Sequence, residues 1–316
     1  MKNKLKKVAG ITAAAAGAAA VFGNVAYSVF LTRKGVEFCN EHMPPIDEAT
    51  RDFYENNEEV KVGPDWYKQI ETQKLVISAD GGVNLHAVLI EPAEASDVYV
   101  ISCHGYGGKP SDMSYYAKHF TEKGWNVIMP ALNGHGENES DDISMGWHDR
   151  EVILEWIKYI TELYPKAKIV LHGVSMGAAA VMMTTGMRLP DNVKCCIEDC
   201  GFTGVWDIFS IKFRDYLHLP VFPFLHFADL ASRIRGNFSF KEASALKQVM
   251  KSVTPTLFIH GDKDTFVPFW MLHPLYTHAV CQKEKLVVPG AIHTACVYVD
   301  PELYWNTADA FIEKYI

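Results

Sequence analysis

From residue 73 onward the chain alternates short apolar runs with amphipathic ones. Lys74–Ser78 and Val83–Ile90 are β-rich and flank Asp80-Gly81-Gly82, which predicts a hairpin. Val98–Cys103, Trp125–Met129, Ile169–His172, Val193–Glu198, Thr256–His260 and Lys285–Val288 are short and mostly apolar, as strands are when both sheet faces are covered. Helical stretches separate them: Ser111–Lys123, Asp149–Leu163, Gly177–Arg188, Lys241–Met250, Pro268–Ala279 and Pro301–Tyr315. Asp149–Leu163 is the clearest, with Val152, Ile153, Trp156, Ile157 and Ile160 on one stripe. The order predicts an α/β domain over 73–316: eight strands, mostly parallel, with helices on both faces. The alternation stops at 201–240, after the sixth strand. That stretch carries ten aromatic residues, among them Phe202, Phe209, Phe213 and Phe222, together with Pro220 and Pro223, and is expected as an insertion, helical in pieces.

The N-terminal 34 residues have a different pattern. Lys2, Lys4, Lys6 and Lys7 precede an uncharged, Ala-rich run from Val8 to Leu31. As a helix rising ~1.5 Å per residue it would reach ~36 Å, enough to cross a bilayer core of ~30 Å. The run is longer than the ~7–15 residues of a signal-peptide core, so an uncleaved single-helix membrane anchor is expected, with secretion after cleavage as the alternative. Four lysines before the run against Arg33 and Lys34 after it would put the rest of the chain outside the cytoplasm. Residues 35–72 are polar and acidic, broken by Pro44 and Pro45, and read as a linker with a short helical segment.

Composition narrows the partners. The chain is 48% hydrophobic and carries a net charge of −8, from 38 acidic and 30 basic residues, which disfavours nucleic acid. Seven cysteines without a C-x-x-C pair read as free thiols, mostly buried, and not as a disulfide framework or zinc site. No internal repeat is present, and nothing in the sequence fixes an oligomeric state.

The chemistry gathers at the ends of strands. Gly173-Val174-Ser175-Met176-Gly177 lies between a strand and an Ala-rich helix, where a tight turn lifts the serine above the sheet only if its neighbours are small. The serine then sits at a helix N-terminus, which favours developing negative charge. A hydroxyl needs a base, and His293 occupies the short loop between the last strand and the last helix. A carboxylate should leave the preceding strand, where both Asp262 and Asp264 qualify by position.

At this point His260-Gly261-Asp262-Lys263-Asp264-Thr265-Phe266-Val267-Pro268 resembles the H-G-x-x-D-x-x-V-P acid loop of α/β-hydrolase serine hydrolases of the esterase, lipase and serine aminopeptidase kind. The resemblance implies that Asp264 is the triad acid and Asp262 a turn residue, with Asp199, at the end of the sixth strand, as a fallback acid. It also implies an oxyanion hole built from the N–H of Met176 and, through the H-G-x-x-G-like loop His104–Gly108, the N–H of Tyr106. Leu132–Gly136 is similar to the family's R-G-H-G segment, with Asn133 in place of Arg and His135 in a structural role. His148 and Asp149 read as helix-start residues. The order Ser175, Asp264, His293 is the order of the α/β-hydrolase fold. The insertion at 201–240 stands where family lids are inserted.

The expected function is therefore hydrolysis of carboxylic esters through an acyl-enzyme, on a small-molecule substrate with a hydrophobic acyl group, with no metal or organic cofactor. Two alternatives differ in class. A serine aminopeptidase would need a lid carboxylate for the substrate amine, for which Asp207, Asp215 and Asp229 are the candidates. An inactive binding module on the same scaffold would not keep a complete triad.

Overall fold

The computed structural model describes residues 17–42, 48–79 and 82–316. Its centre is an eight-stranded sheet of β1 (Gln73–Ser78), β2 (Asn84–Ile90), β3 (Val98–Cys103), β4 (Asn126–Pro130), β5 (Lys168–Val174), β6 (Val193–Asp199), β7 (Thr256–Gly261) and β8 (Lys283–Val288). The spatial order is β1-β2-β4-β3-β5-β6-β7-β8. β2 runs antiparallel to both β1 and β4, and the remaining neighbours are parallel. Asp80 and Gly81 of the expected hairpin turn lie outside the described residues; the strands on either side pair as expected.

The strands alternate between two cores because successive side chains point to opposite faces. Val100, Val127, Val170, Ile197 and Leu257 face α5 (Ser114–Glu122) and the C-terminal helix Pro301–Glu313, where Phe120, Tyr304 and Phe311 close the layer. Ile101, Ile128, Leu171, Cys196 and Phe258 face α6 (Asp149–Leu163), α7 (Met176–Thr185) and α11 (Leu272–His278). Trp156 of α6 is wholly buried there, worth on the order of 3 kcal/mol of apolar burial. The fourth expected helix, Lys241–Met250, is shorter than its pattern, since only α10 (Ala245–Val249) is helical.

Residues 201–240 form α8 (Val205–Ile211), a π-helical turn at Lys212–Tyr216, and α9 (Val221–Arg235). The N-terminal arm packs against this insertion. Its first helix, α1 (17–30), crosses α9 at Gly23, where a Cβ would stand 2.4 Å from Phe227 O, and Phe22 meets Phe224 with ring centroids 4.8 Å apart. Ala26, Tyr27 and Leu31 are buried, while Val21 and Val25 on the other side are exposed.

This differs from the expected membrane helix. Among the described residues no helix is long and apolar enough to cross a membrane. The Val8–Leu31 run is described only from residue 17, and there its apolar residues divide into a face buried on the protein and an exposed face; Lys2, Lys4, Lys6 and Lys7 lie outside the described residues. The segment read as a linker is also largely helical, in α2 (Arg33–His42), α3 (Glu48–Asn56) and α4 (Glu59–Tyr67). Polar composition hid its docking. Gly63 sits so close to Tyr115 N that a Cβ would fall at 2.3 Å, and Glu59 accepts a 2.8 Å hydrogen bond from the Tyr115 hydroxyl. Pro44 and Pro45 lie outside the described residues.

Candidate active site

The β5–α7 turn is built by close approach. A Cβ on Gly173 would stand 2.3 Å from Gly177 O, and one on Gly177 would stand 2.1 Å from Cys103 O, so both positions need glycine. Ser175 between them has φ +58 and ψ −114, a strained backbone for a residue with a side chain. The strain is held by full burial of α7 behind it and by the Ser175 N–H, which donates to Asp199 O at 2.8 Å.

The structure brings Ser175, His293 and Asp264 into one chain of hydrogen bonds. His293 Nδ1 donates to Asp264 Oδ2 at 2.7 Å, and Ser175 Oγ donates to His293 Nε2 at 2.8 Å. The proton assignment follows from Asp264. Burial pushes its carboxyl up, but the charge and hydrogen bonds of His293 and His260 outweigh this and hold it down at about 2. An ionised carboxylate only accepts, so Nδ1 must carry the proton and Nε2 is left as the acceptor. The other carboxylate oxygen accepts from the N–H groups of Phe266 and Val267, each at 2.9 Å. Asp262 is the turn residue, accepting from Gly290 N at 2.7 Å.

Three further residues touch this chain, to none of which the sequence assigned a role of its own. His260 Nε2 donates to Val267 O at 2.9 Å and lies 3.2 Å from Asp264 Oδ2, both side chains wholly buried. Tyr54 of α3 donates to His293 O at 2.9 Å and touches Thr294 Oγ1 at 2.5 Å. Phe266 places its ring 4.9 Å from the imidazole of His293. Asp199, the fallback acid, makes no hydrogen bond to His293; its buried carboxylate lies beside Tyr304 and Cys296, and burial raises it to about 6.

The loop after β3 passes over Ser175, with the Cβ position of Gly105 only 3.5 Å from Ser175 Cβ. Two histidines set its shape. His135 Nε2 accepts from Gly107 N at 2.9 Å, and His104 Nε2 accepts from Leu132 N at 3.2 Å. Burial lowers both imidazoles to about 4, and only a neutral ring has a nitrogen free to accept. Tyr106 follows Gly105 in this loop and lines the same cavity as Ser175, and Met176 is the first residue of α7. Asp149 anchors the neighbouring loop, accepting from Asn133 N at 2.8 Å and Gly146 N at 2.9 Å, and His148 reaches Gly236 O at 2.9 Å; both do more than begin α6.

Ser175 opens onto a cavity of about 200 Å³ whose walls are mostly apolar, with Met145, Phe202, Phe209, Phe213 and Phe266 from the body and insertion and Phe30 from the N-terminal arm. The Tyr106 hydroxyl donates to Phe30 O at 2.8 Å, which ties the arm to the loop over Ser175. Cys200 brings its sulfur within 4.8 Å of Asp264 and His293 ligand atoms, but burial drives its thiol far up, and a protonated thiol beside a committed His–Asp pair does not make a metal donor set. None of the seven cysteines is in a disulfide, and five of them are buried.

Comparison with known proteins bears on the fold. Residues 98–221 match the family model described as alpha/beta hydrolase fold. The chain is 24% identical over 249 residues to the Bacillus subtilis (strain 168) protein YqkD, covering 78% of this chain and 81% of that one. It is 30% identical over 95 residues to a thermostable monoacylglycerol lipase of Bacillus sp. (strain H-257), covering 28% of this chain and 36% of the lipase. Among solved structures, the Pyrococcus furiosus esterase Pf2001 superposes with a TM-score of 0.64 at 20% identity, over 78% of this chain and 92% of the esterase. The chain has the α/β-hydrolase fold.

Proposed function

We propose that this α/β-hydrolase-fold chain is a serine hydrolase that cleaves carboxylic esters of hydrophobic acids through an acyl-enzyme. The observation that carries the reading is the unbroken chain from Ser175 Oγ through His293 to the buried Asp264. His293 takes the serine proton as Oγ attacks the ester carbonyl, and Asp264 stabilises the imidazolium that forms. The oxyanion is received by the N–H groups of Met176 and Tyr106, each donor worth ~3–4 kcal/mol of transition-state stabilisation. His293 then protonates the leaving alcohol and activates the water that releases the acid.

The apolar walls favour an acyl chain. A cavity of about 200 Å³ with these walls suits short to medium chains. The insertion's carboxylates give little support to the aminopeptidase reading, since each is engaged locally. Asp207 accepts from Thr203 Oγ1 at 2.6 Å, Asp215 pairs with Arg214 at 2.7 Å, and Asp229 pairs with Arg233 at 2.8 Å. The test is labelling by a fluorophosphonate, with turnover of 4-nitrophenyl esters from C2 to C12. Wild type should label and prefer C4–C8, and Ser175→Ala should do neither. A folded wild type that does not label would falsify the nucleophile.

A further inference from the structure

Lys212 is the one charged side chain among those lining the cavity that contains Ser175. It enters from the π-helical turn of the insertion, half-buried between the rings of Phe266 and Tyr216, with Nζ 3.2 Å and 4.3 Å from their centroids. Its hydrogen bond goes to Phe266 O at 2.8 Å. An ammonium has three donors, and the main-chain oxygen and the two ring faces leave it without a negative partner. Among the described residues no carboxylate pairs with it. The nearest acids on either side are occupied: Asp215 by Arg214, and Asp264 by His293 and the Phe266 and Val267 N–H groups. The cost of this isolation appears in its acidity, which burial lowers to about 7 against the pull of Asp264 and Asp215. The residue is tied through Phe266 to the acid loop, and Phe266 itself packs on His293, so its ammonium lies one ring away from the reacting groups.

We propose that Lys212 is a specificity-determining residue that receives an anionic oxygen of the substrate, so that the site takes esters carrying a carboxylate in addition to the scissile bond. This rests on the ester-hydrolase reading and specifies its substrate class. An apolar cavity with one unmatched cation fits an amphipathic ester: the hydrocarbon fills the phenylalanine walls while the carboxylate completes the ammonium's hydrogen bonds.

The test compares matched pairs differing only in that charge, in wild type, Lys212→Met and Lys212→Arg. One pair carries the anion on the acid side (mono-4-nitrophenyl adipate against 4-nitrophenyl hexanoate). The other carries it on the alcohol side (4-carboxyphenyl hexanoate against 4-carbamoylphenyl hexanoate). Wild type should favour the anionic member of at least one pair, through KM. That ratio of kcat/KM should fall at least about tenfold in Lys212→Met and be largely kept in Lys212→Arg. Wild type favouring the neutral member of both pairs overturns the proposal, as does a Lys212→Met variant that slows both members equally, the mark of a strap between insertion and acid loop. Wild type that hydrolyses none of the four esters removes the ester reading, and this proposal with it.

Discussion

The hydroxyl of Tyr54 donates to the main-chain oxygen of His293, at 2.9 Å, across 239 residues of sequence. The neighbouring Thr294, a β-branched residue, has φ +59, so the loop that carries the imidazole is held in an unfavourable shape partly by this contact. Tyr54→Phe removes the bond and keeps the ring. One hydrogen bond of this kind is worth roughly 1–2 kcal/mol, so kcat for 4-nitrophenyl butyrate should fall about five- to thirtyfold with little change in KM. Steady-state kinetics checks this, and an unaltered kcat would show that the loop holds its shape without the arm.

Asp264 and Asp199 make opposite predictions. Asp264→Asn forces the wrong imidazole tautomer on His293 and should lower kcat by about 10⁴ with the fold intact. Asp199→Asn replaces a carboxylate that does not touch the imidazole and should keep kcat within about tenfold of wild type. Comparable losses in the two variants would move the acid role to β6.

Glu198 gives the protein a pH signature of its own. Burial, with a smaller push from Asp199, raises its carboxyl from 4.5 to about 8 against the opposing His260 and Gly201 N–H. The folded chain keeps this proton up to about pH 8, whereas the unfolded chain releases it above 4.5. The stabilising contribution is therefore full below pH 4.5, is lost as pH rises, and levels off above 8, with a slope of up to about 1.4 kcal/mol per pH unit. Melting temperatures of wild type should decline from pH 5 to pH 8 more steeply than those of Glu198→Gln. Parallel curves would mean that another group sets the slope.

Phe30 tests the arm as a wall of the cavity. Phe30→Ala should enlarge the space beside Ser175 and shift preference toward longer acyl chains. Two extra buried methylenes at ~0.8 kcal/mol each correspond to about a tenfold rise in the ratio of kcat/KM for octanoate over hexanoate. A ratio that stays at the wild-type value would place the acyl chain elsewhere.

The sheet was legible because each central strand is a short apolar run between helix-period segments, and both faces being covered leaves that trace in the residues themselves. The elbow was legible for a similar local reason: Gly173 and Gly177 record contacts with the backbone that admit no Cβ. Tyr54, Phe30 and Lys212 were not, since their roles arise only when distant segments dock. Each left a weak mark: an aromatic pair, Phe53-Tyr54, in an acidic stretch, and a single lysine between Ile211 and Phe213 in an aromatic one. Hydropathy alone could not show how the described part of the first helix packs, because an Ala-rich apolar run scores alike whether it faces lipid or packs against another helix. Gly23 at the crossing with α9 and buried Tyr27 are the residues through which the described part packs on the protein.

The docked arm also bears on how the protein is made. Residues 17–56 leave the ribosome before any strand exists, yet Tyr54 finds its partners only after His293 and Thr294 have been synthesised, and Phe30 waits for Tyr106. Part of one wall of the cavity is thus translated ahead of the described strands and cannot take its seat until Tyr106 has followed it. A shortened recombinant form starting at the first strand would keep the triad's own residues and lose both that wall and the Tyr54 brace.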